Sequence, residues 1–211
     1  MLHALDLFGT FVFAVSGAFR AVKYELDMLG VLVLAVATGV GGGIMADVLL
    51  GNQPPFAFRD ERYLLICLMG GLLVFVGARR IAPWWDGVMT ADALGLGVFA
   101  ALGAAKGAQA GLGHVGVLMV AAMTATGGGV VRDVLVREIP AVLRIDVYAT
   151  AALAGAIFFE LARGLGFSLN VQLFSCIAVT LLLRLLAMRY KIALPRVQRL
   201  PKAPSQMRPG R

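Results

Sequence analysis

Residues 38–47 read TGVGGGIMAD and residues 124–133 read TATGGGVVRD, the same threonine, glycine triplet and aspartate set 86 positions apart. Each motif lies in an apolar stretch long enough to cross a bilayer as a helix. Glycine in a helix interior costs about 1 kcal/mol relative to alanine. An aspartate in hydrocarbon is costly unless it is paired or hydrated. Placing both at membrane depth, twice, calls for a physical reason.

The alignment extends outward from the motifs without a gap. The segment DLFGTFVFAVSGA from Asp6 lies over DALGLGVFAALGA from Asp92, Pro54 falls on Pro140, and Asp60 on Asp146. Between residues 6 and 63, 21 of 58 positions are identical to their partners. Shared apolar composition alone does not keep a glycine triplet, an aspartate and a proline in one register.

The chain has 211 residues, 60% of them hydrophobic and 15% charged, with a mean hydropathy of +0.86. That composition describes an integral membrane protein. Seven spans are predicted, at 4–22, 29–50, 61–82, 90–108, 115–137, 146–164 and 168–188, each near the length a transmembrane helix needs. The repeat unit holds three spans, an odd number, so the second copy must enter the membrane upside down. The expected fold is an all-α integral membrane protein of seven transmembrane helices: two inverted three-helix repeats, 4–82 and 90–168, plus a seventh helix at 168–188. These make a transmembrane domain over 1–188. The N-terminus MLHALDLFGT lacks the basic region and cleavage site of a secretory signal, so its apolar run is expected to stay as a helix.

The net charge of +7 comes largely from the tail, where seven of nineteen Lys and Arg residues lie within 189–211. A basic, proline-containing tail after a membrane helix marks the cytoplasmic side and can meet anionic lipid. This is expected to be a disordered cytoplasmic tail, with no nucleic-acid partner. Seven spans then put the N-terminus outside. The connections carry thirteen Lys and Arg inside (Arg20, Lys23, Arg79, Arg80, Arg137, Arg144 and the tail) against four outside (Arg59, Arg62, Lys106 and Arg163).

Gly41, Gly42, Gly43 and Gly127, Gly128, Gly129 have two compatible uses. They can bend or break their helices and expose backbone dipoles to a water-filled path. They can also let helices pack closely, as the Gly39 and Gly43 pair suggests. Asp47 and Asp133 follow their triplets by about one turn and mark a cation path, while Asp133 can instead pair with Arg132. Ala46 stands where the second copy has Arg132, so the halves are electrically unequal. Asp6 and Asp92 open equivalent helices and read as caps. Lys106 matches Arg20 and either snorkels to the interface or charges a pore mouth. Glu160 and Arg184 read as interhelical partners, Trp84 and Trp85 as an interfacial anchor, and Cys67 and Cys176 as buried thiols. His3 and His114 are the only histidines, and no hydrolase, HExxH or Walker motif is present, so neither an enzyme nor an ATP-driven pump is expected. Passive or secondary transport is left.

The doubled GGGIMAD and GGGVVRD, followed by Pro54 and Pro140, in a chain of three plus three plus one spans, resembles the prokaryotic members of the trimeric intracellular cation (TRIC) channel family. The likeness covers roughly residues 5–188. It implies a homotrimer in the prokaryotic plasma membrane with one pore per protomer, helices two and five broken at the glycines, and potassium as the permeant ion. No cofactor is implied beyond the permeant ion and bound lipid. The site residues carried over are the six glycines with Asp47, Arg132 and Asp133, to which the repeat adds Lys106. Related bacterial proteins are also grouped under a glycine-transport name, which leaves a carrier of small neutral amino acids as the alternative. A structural, lipid-organising membrane protein is a third reading.

Overall fold

The computed structural model describes residues 2–81, 85–144, 147–190 and 192. Among them the chain forms nine helices: α1 (Leu2–Lys23), α2 (Met28–Leu49), α3 (Phe56–Arg59), α4 (Glu61–Ile81), α5 (Trp85–Gln109), α6 (His114–Leu135), α7 (Ala141–Arg144), α8 (Ala149–Gly164) and α9 (Leu169–Tyr190). α3 and α7 are single turns; the other seven fall on the seven predicted spans. Five, α1, α2, α5, α6 and α9, are long and apolar enough to cross a membrane. Trp84, the side chain of Trp85 and the tail from residue 193 onward lie outside the described residues. α9 continues to Tyr190, so the tail expected from 189 begins inside a helix.

The two copies repeat one another down to single backbone torsions. Chain reversal after α1 uses Glu25 at φ 54°, and after α5 it uses Gly111 at φ 73°. After α2 the chain turns at Gly51 (φ 73°) and after α6 at Arg137 (φ 59°). Both pairs are 86 residues apart. The left-handed conformation is strained for any residue with a Cβ. Glu25 and Arg137 adopt it because the turn closing the helix requires it.

Packing follows the same pattern. α1 packs on α2 and α4, as α5 packs on α6 and α8, while α9 lies against α5 and α8. The copies meet through α1 on α5 and α2 on α6. At the first contact the Phe13 and Phe99 rings, an equivalent pair, lie with centroids 5.0 Å apart. Each is received by a glycine of the other copy: a Cβ on Gly9 would lie 3.3 Å from the Phe99 ring, and one on Gly95 would lie 2.4 Å from that of Phe13. Outward faces remain apolar, with Leu65, Leu73 and Val76 on α4 and Phe174 and Leu182 on α9 exposed, as suits helices bathed in lipid.

The α2 and α6 contact explains the glycine triplets. A Cβ on Gly42 would stand 2.2 Å from the Thr124 carbonyl oxygen, and one on Gly128 would stand 2.2 Å from the Thr38 carbonyl oxygen. The contact is reciprocal, as a two-fold relation between the copies requires. Gly41 faces the Cα of Gly128, Gly127 faces the Met45 sulfur, and Gly43 has open space. The expected break is not found: α2 and α6 run as unbroken helices through both triplets. The missing Cβ atoms serve backbone-to-backbone approach, where Cα–H groups reach facing carbonyls, and the helical hydrogen bonds stay intact. The small-residue pairing foreseen for Gly39 is met by α1 and α4, since its Cβ would crowd the Cys67 sulfur and the Thr10 carbonyl. Cys67 and Cys176 are both free and buried, as expected.

This geometry separates neighbouring glycines. Gly42→Ala and Gly128→Ala should each lower the thermal unfolding midpoint of the purified protein, by an overpacking cost of about 1–3 kcal/mol. Gly43→Ala, with room for its methyl group, should hold or raise it, by up to about 1 kcal/mol from helix propensity. Unfolding curves in detergent followed by circular dichroism would check the contrast.

Candidate functional site

Where α2 and α6 end, each presents its aspartate to the other copy. Lys106 on α5 donates to Asp47 Oδ1 at 2.8 Å, and Arg20 on α1 pairs with Asp133 Oδ1 at 3.2 Å. These two ion pairs are each other's image at the 86-residue offset. The second oxygen of each aspartate accepts from the backbone at the start of a one-turn helix: Asp47 Oδ2 from Phe56 N at 2.9 Å, Asp133 Oδ2 from Ala141 N at 2.8 Å. The aspartates therefore hold the connections after Pro54 and Pro140 against the bundle. Both are almost fully buried.

The Asp133 side is tightly filled. Arg132, 4% exposed, donates through Nε to Asp133 Oδ1 at 2.9 Å and through Nη1 to Asp92 Oδ1 at 2.9 Å and Ser16 Oγ at 2.7 Å. Ser16 in turn donates to Asp92 at 3.0 Å, and the Tyr148 hydroxyl donates to Asp92 Oδ2 at 3.0 Å. Two carboxylates and two guanidinium groups balance in charge, and charge-assisted hydrogen bonds of this length offset much of the desolvation they suffer. At the rim, Glu138 accepts from the Tyr24 hydroxyl and faces Arg20 and Arg144. The Tyr24 hydrogen bond, then Arg20 and Lys23, holds the Glu138 carboxyl below its usual range.

The Asp47 side is open. A cavity of about 380 Å³ is lined by Asp6, Asp47, Tyr63 and Lys106 together with His3, Arg59 and Gln109. It continues into a neck of about 10 Å³ beside Thr10, Gly39, Gly43 and Phe99. That neck has room for about one water.

Several residues stand where the sequence did not put them. Asp6 and Asp92 are not caps. α1 begins at Leu2 and α5 at Trp85, so both carboxylates lie inside their helices, where Tyr63 and Tyr148 serve them. Glu160 and Arg184 are not partners. α8 and α9 run antiparallel and both residues sit toward their helix C-termini, at opposite ends of the pair. Glu160 binds Arg163 and His114; Arg184 donates to the Val147 carbonyl and lies over the Tyr148 ring. Lys106 lines the cavity and pairs with Asp47. Ser16 and Tyr148 escaped notice because the repeat gives Ser16 an apolar counterpart, Leu102, and matches Tyr148 to Arg62 instead of Tyr63, one position away.

The fold and its buried polar sites define a multi-pass, all-helical membrane protein of the TRIC channel fold. The chain resembles a solved TRIC cation channel studied for conductance (38% identity, TM-score 0.88, over 95% of this chain and 98% of that one). It also resembles the TRIC orthologue from Rhodobacter sphaeroides (35%, 0.86, 90% and 98%). A TRIC counter-ion channel 13% identical, with a TM-score of 0.59, shares the fold. The family model described as Glycine transporter matches residues 3–79 and 89–163, and the chain belongs to that family. Its relatives include a UPF0126 membrane protein of Vibrio cholerae serotype O1, 41% identical over 92% of this chain and 82% of that protein. The UPF0126 inner membrane protein YadS of Escherichia coli K12 is 40% identical over 92% and 95%.

The buried network makes an energetic prediction. Arg132→Met leaves buried Asp92 without a charged partner and Asp133 with Arg20 alone, and should cost about 3–5 kcal/mol, the usual penalty for removing one partner of a buried pair. Adding Asp92→Asn should return part of that loss. A double-mutant cycle on unfolding midpoints measures the coupling.

Proposed function

We propose that the protein is a monovalent cation channel, selective for potassium, that assembles as a homotrimer with one pathway in each protomer. Seven helices cross the inner membrane as two inverted repeats plus α9, with the N-terminus outside and the basic tail in the cytoplasm. The observation that carries the reading is the line of polar groups between the copies. A polar cavity lined by Asp6, Asp47, Lys106 and Arg59 at one end of α1, α2 and α5 narrows beside Thr10, Gly39 and Phe99. About two helical turns further along α1 and α5 lie Ser16 and Asp92, and then Arg132, Asp133 and Arg20. Carboxylate and carbonyl oxygens along such a line replace part of an ion's hydration shell. Gly41, Gly42, Gly127 and Gly128 hold α2 and α6 together along it, Gly43 lines the neck and Gly129 faces Tyr148 and Arg132, with Asp47, Lys106, Arg132 and Asp133 at its charged stations.

A neck of one water's volume is closed to a hydrated ion, so conduction requires α1, α2 and α5 to part at Phe99. The likeness to solved TRIC channels supports this reading over the amino-acid carrier, which draws its support from the family's glycine-transporter description.

The test is a planar bilayer holding the purified protein with potassium chloride on both sides. Unitary current steps that reverse at the potassium potential under a gradient are expected. Asp6→Asn should reduce unitary conductance at low salt, and the effect should fade near 1 M, where the Debye length is about 3 Å. A silent bilayer from folded protein, together with saturable glycine counterflow in liposomes, would replace the channel by the carrier.

A further inference from the structure

At the 86-residue offset the two polar sites correspond, with two groups missing from one of them, the guanidinium of Arg132 and the hydroxyl of Ser16. Asp92 Oδ2 accepts from Tyr148, and its Oδ1 takes the Arg132 guanidinium and Ser16. Its counterpart Asp6 accepts from Tyr63 through Oδ2 at 2.7 Å. Among the described residues Asp6 Oδ1 has no hydrogen-bond donor, and Asp6 enters no ion pair. Asp133 Oδ1 is shared between Arg20 and Arg132, whereas Asp47 Oδ1 has Lys106 alone. The position that matches Arg132 is Ala46. The counterparts of the three residues that hold the Arg132 guanidinium are Leu102, Asp6 and Asp47, and all three line the 380 Å³ cavity.

We propose that this cavity is a binding site for a small alkylguanidinium cation, held between Asp6 and Asp47 as the Arg132 guanidinium is held between Asp92 and Asp133. The chain itself displays the bound geometry in its other half. A planar guanidinium offers donors in a fixed fork that can serve two carboxylates at once, which a compact ammonium or a metal ion does not match. Leu102 replaces Ser16 and, with Leu2 and Ala105, forms an apolar wall for an alkyl stem. The cavity lies within the usual volume range for small-molecule sites, roughly 300–1,000 Å³, several times what a bare ion needs. The site rests on the internal repeat; only the statement that its occupant obstructs a pathway rests on the proposed function.

Isothermal titration of the detergent-purified full chain with butylguanidinium at constant ionic strength tests it. Saturable binding at one site per chain is expected, at least tenfold weaker in Asp6→Asn, at least tenfold weaker for butylammonium, and unaffected by potassium chloride exchanged for sodium chloride. Ala46→Arg should abolish it by tethering a guanidinium in the cavity; Ala46 is fully buried, so the Asp6→Asn comparison stands if that variant does not fold. No saturable binding, equal binding by Asp6→Asn, or equal affinity for butylammonium would overturn the site. Butylguanidinium added to the cavity side of the bilayer should also reduce potassium current. Binding without block would sink the pathway reading and leave the site standing, and potassium current without binding would do the reverse.

Discussion

The structure depends on how closely two helices approach. α2 and α6 meet with no side chain between them at Gly42 and Gly128, each glycine lying against a carbonyl of the facing helix. Every glycine there weakens its own helix, and the compensation lies in the neighbouring one. In lipid no hydrophobic gain draws helices together, so van der Waals contact and weak hydrogen bonds must do so. That approach brings the C-terminal ends of α2 and α6 within reach of α5 and α1, and thereby delivers Asp47 to Lys106 and Asp133 to Arg20. Polar chemistry at membrane depth follows from an apolar contact.

Symmetry and its violation divide the labour. The backbone, the Phe13 and Phe99 pair, the glycine contacts and the outer ion pairs all repeat. Arg132 and Ser16 do not, for the first copy has Ala46 and Leu102. One side becomes a packed, charge-balanced network, and the other keeps an open cavity with a carboxylate in want of a cation. Two differences in a duplicated frame, at the positions of Arg132 and Ser16, are enough to make the two ends chemically different.

Much of this was legible in the sequence because it repeats. The register that aligned the glycine triplets also aligned Asp47 with Asp133 and Arg20 with Lys106, and the lengths of the apolar blocks located all seven long helices. What the sequence hid was contact across the copies. Glycine triplets read along one chain carry only a cost to the helix, so a break looked natural. The facing carbonyls of Thr38 and Thr124 lie in the other copy, far along the chain from Gly128 and Gly42, and leave no local mark. Asp92 passed for a cap because the polar stretch before it resembles a connection, whereas α5 starts at Trp85 and carries Asp92 into the interior. Glu160 and Arg184 looked like partners because opposite charges in adjacent spans invite pairing. Counting from the ends of two antiparallel helices would have separated them.

The crossed ion pairs also bear on how the chain is made. Asp47 has no basic partner in its own copy and must wait 59 residues of further synthesis for Lys106, while Arg20 must wait longer still for Asp133, which Arg132 also meets within the second copy. A nascent first copy released alone into lipid would carry uncompensated charge at both faces. The outer ion pairs of the first copy are complete only once α5 and α6 are in place, so its buried charge depends on the second copy.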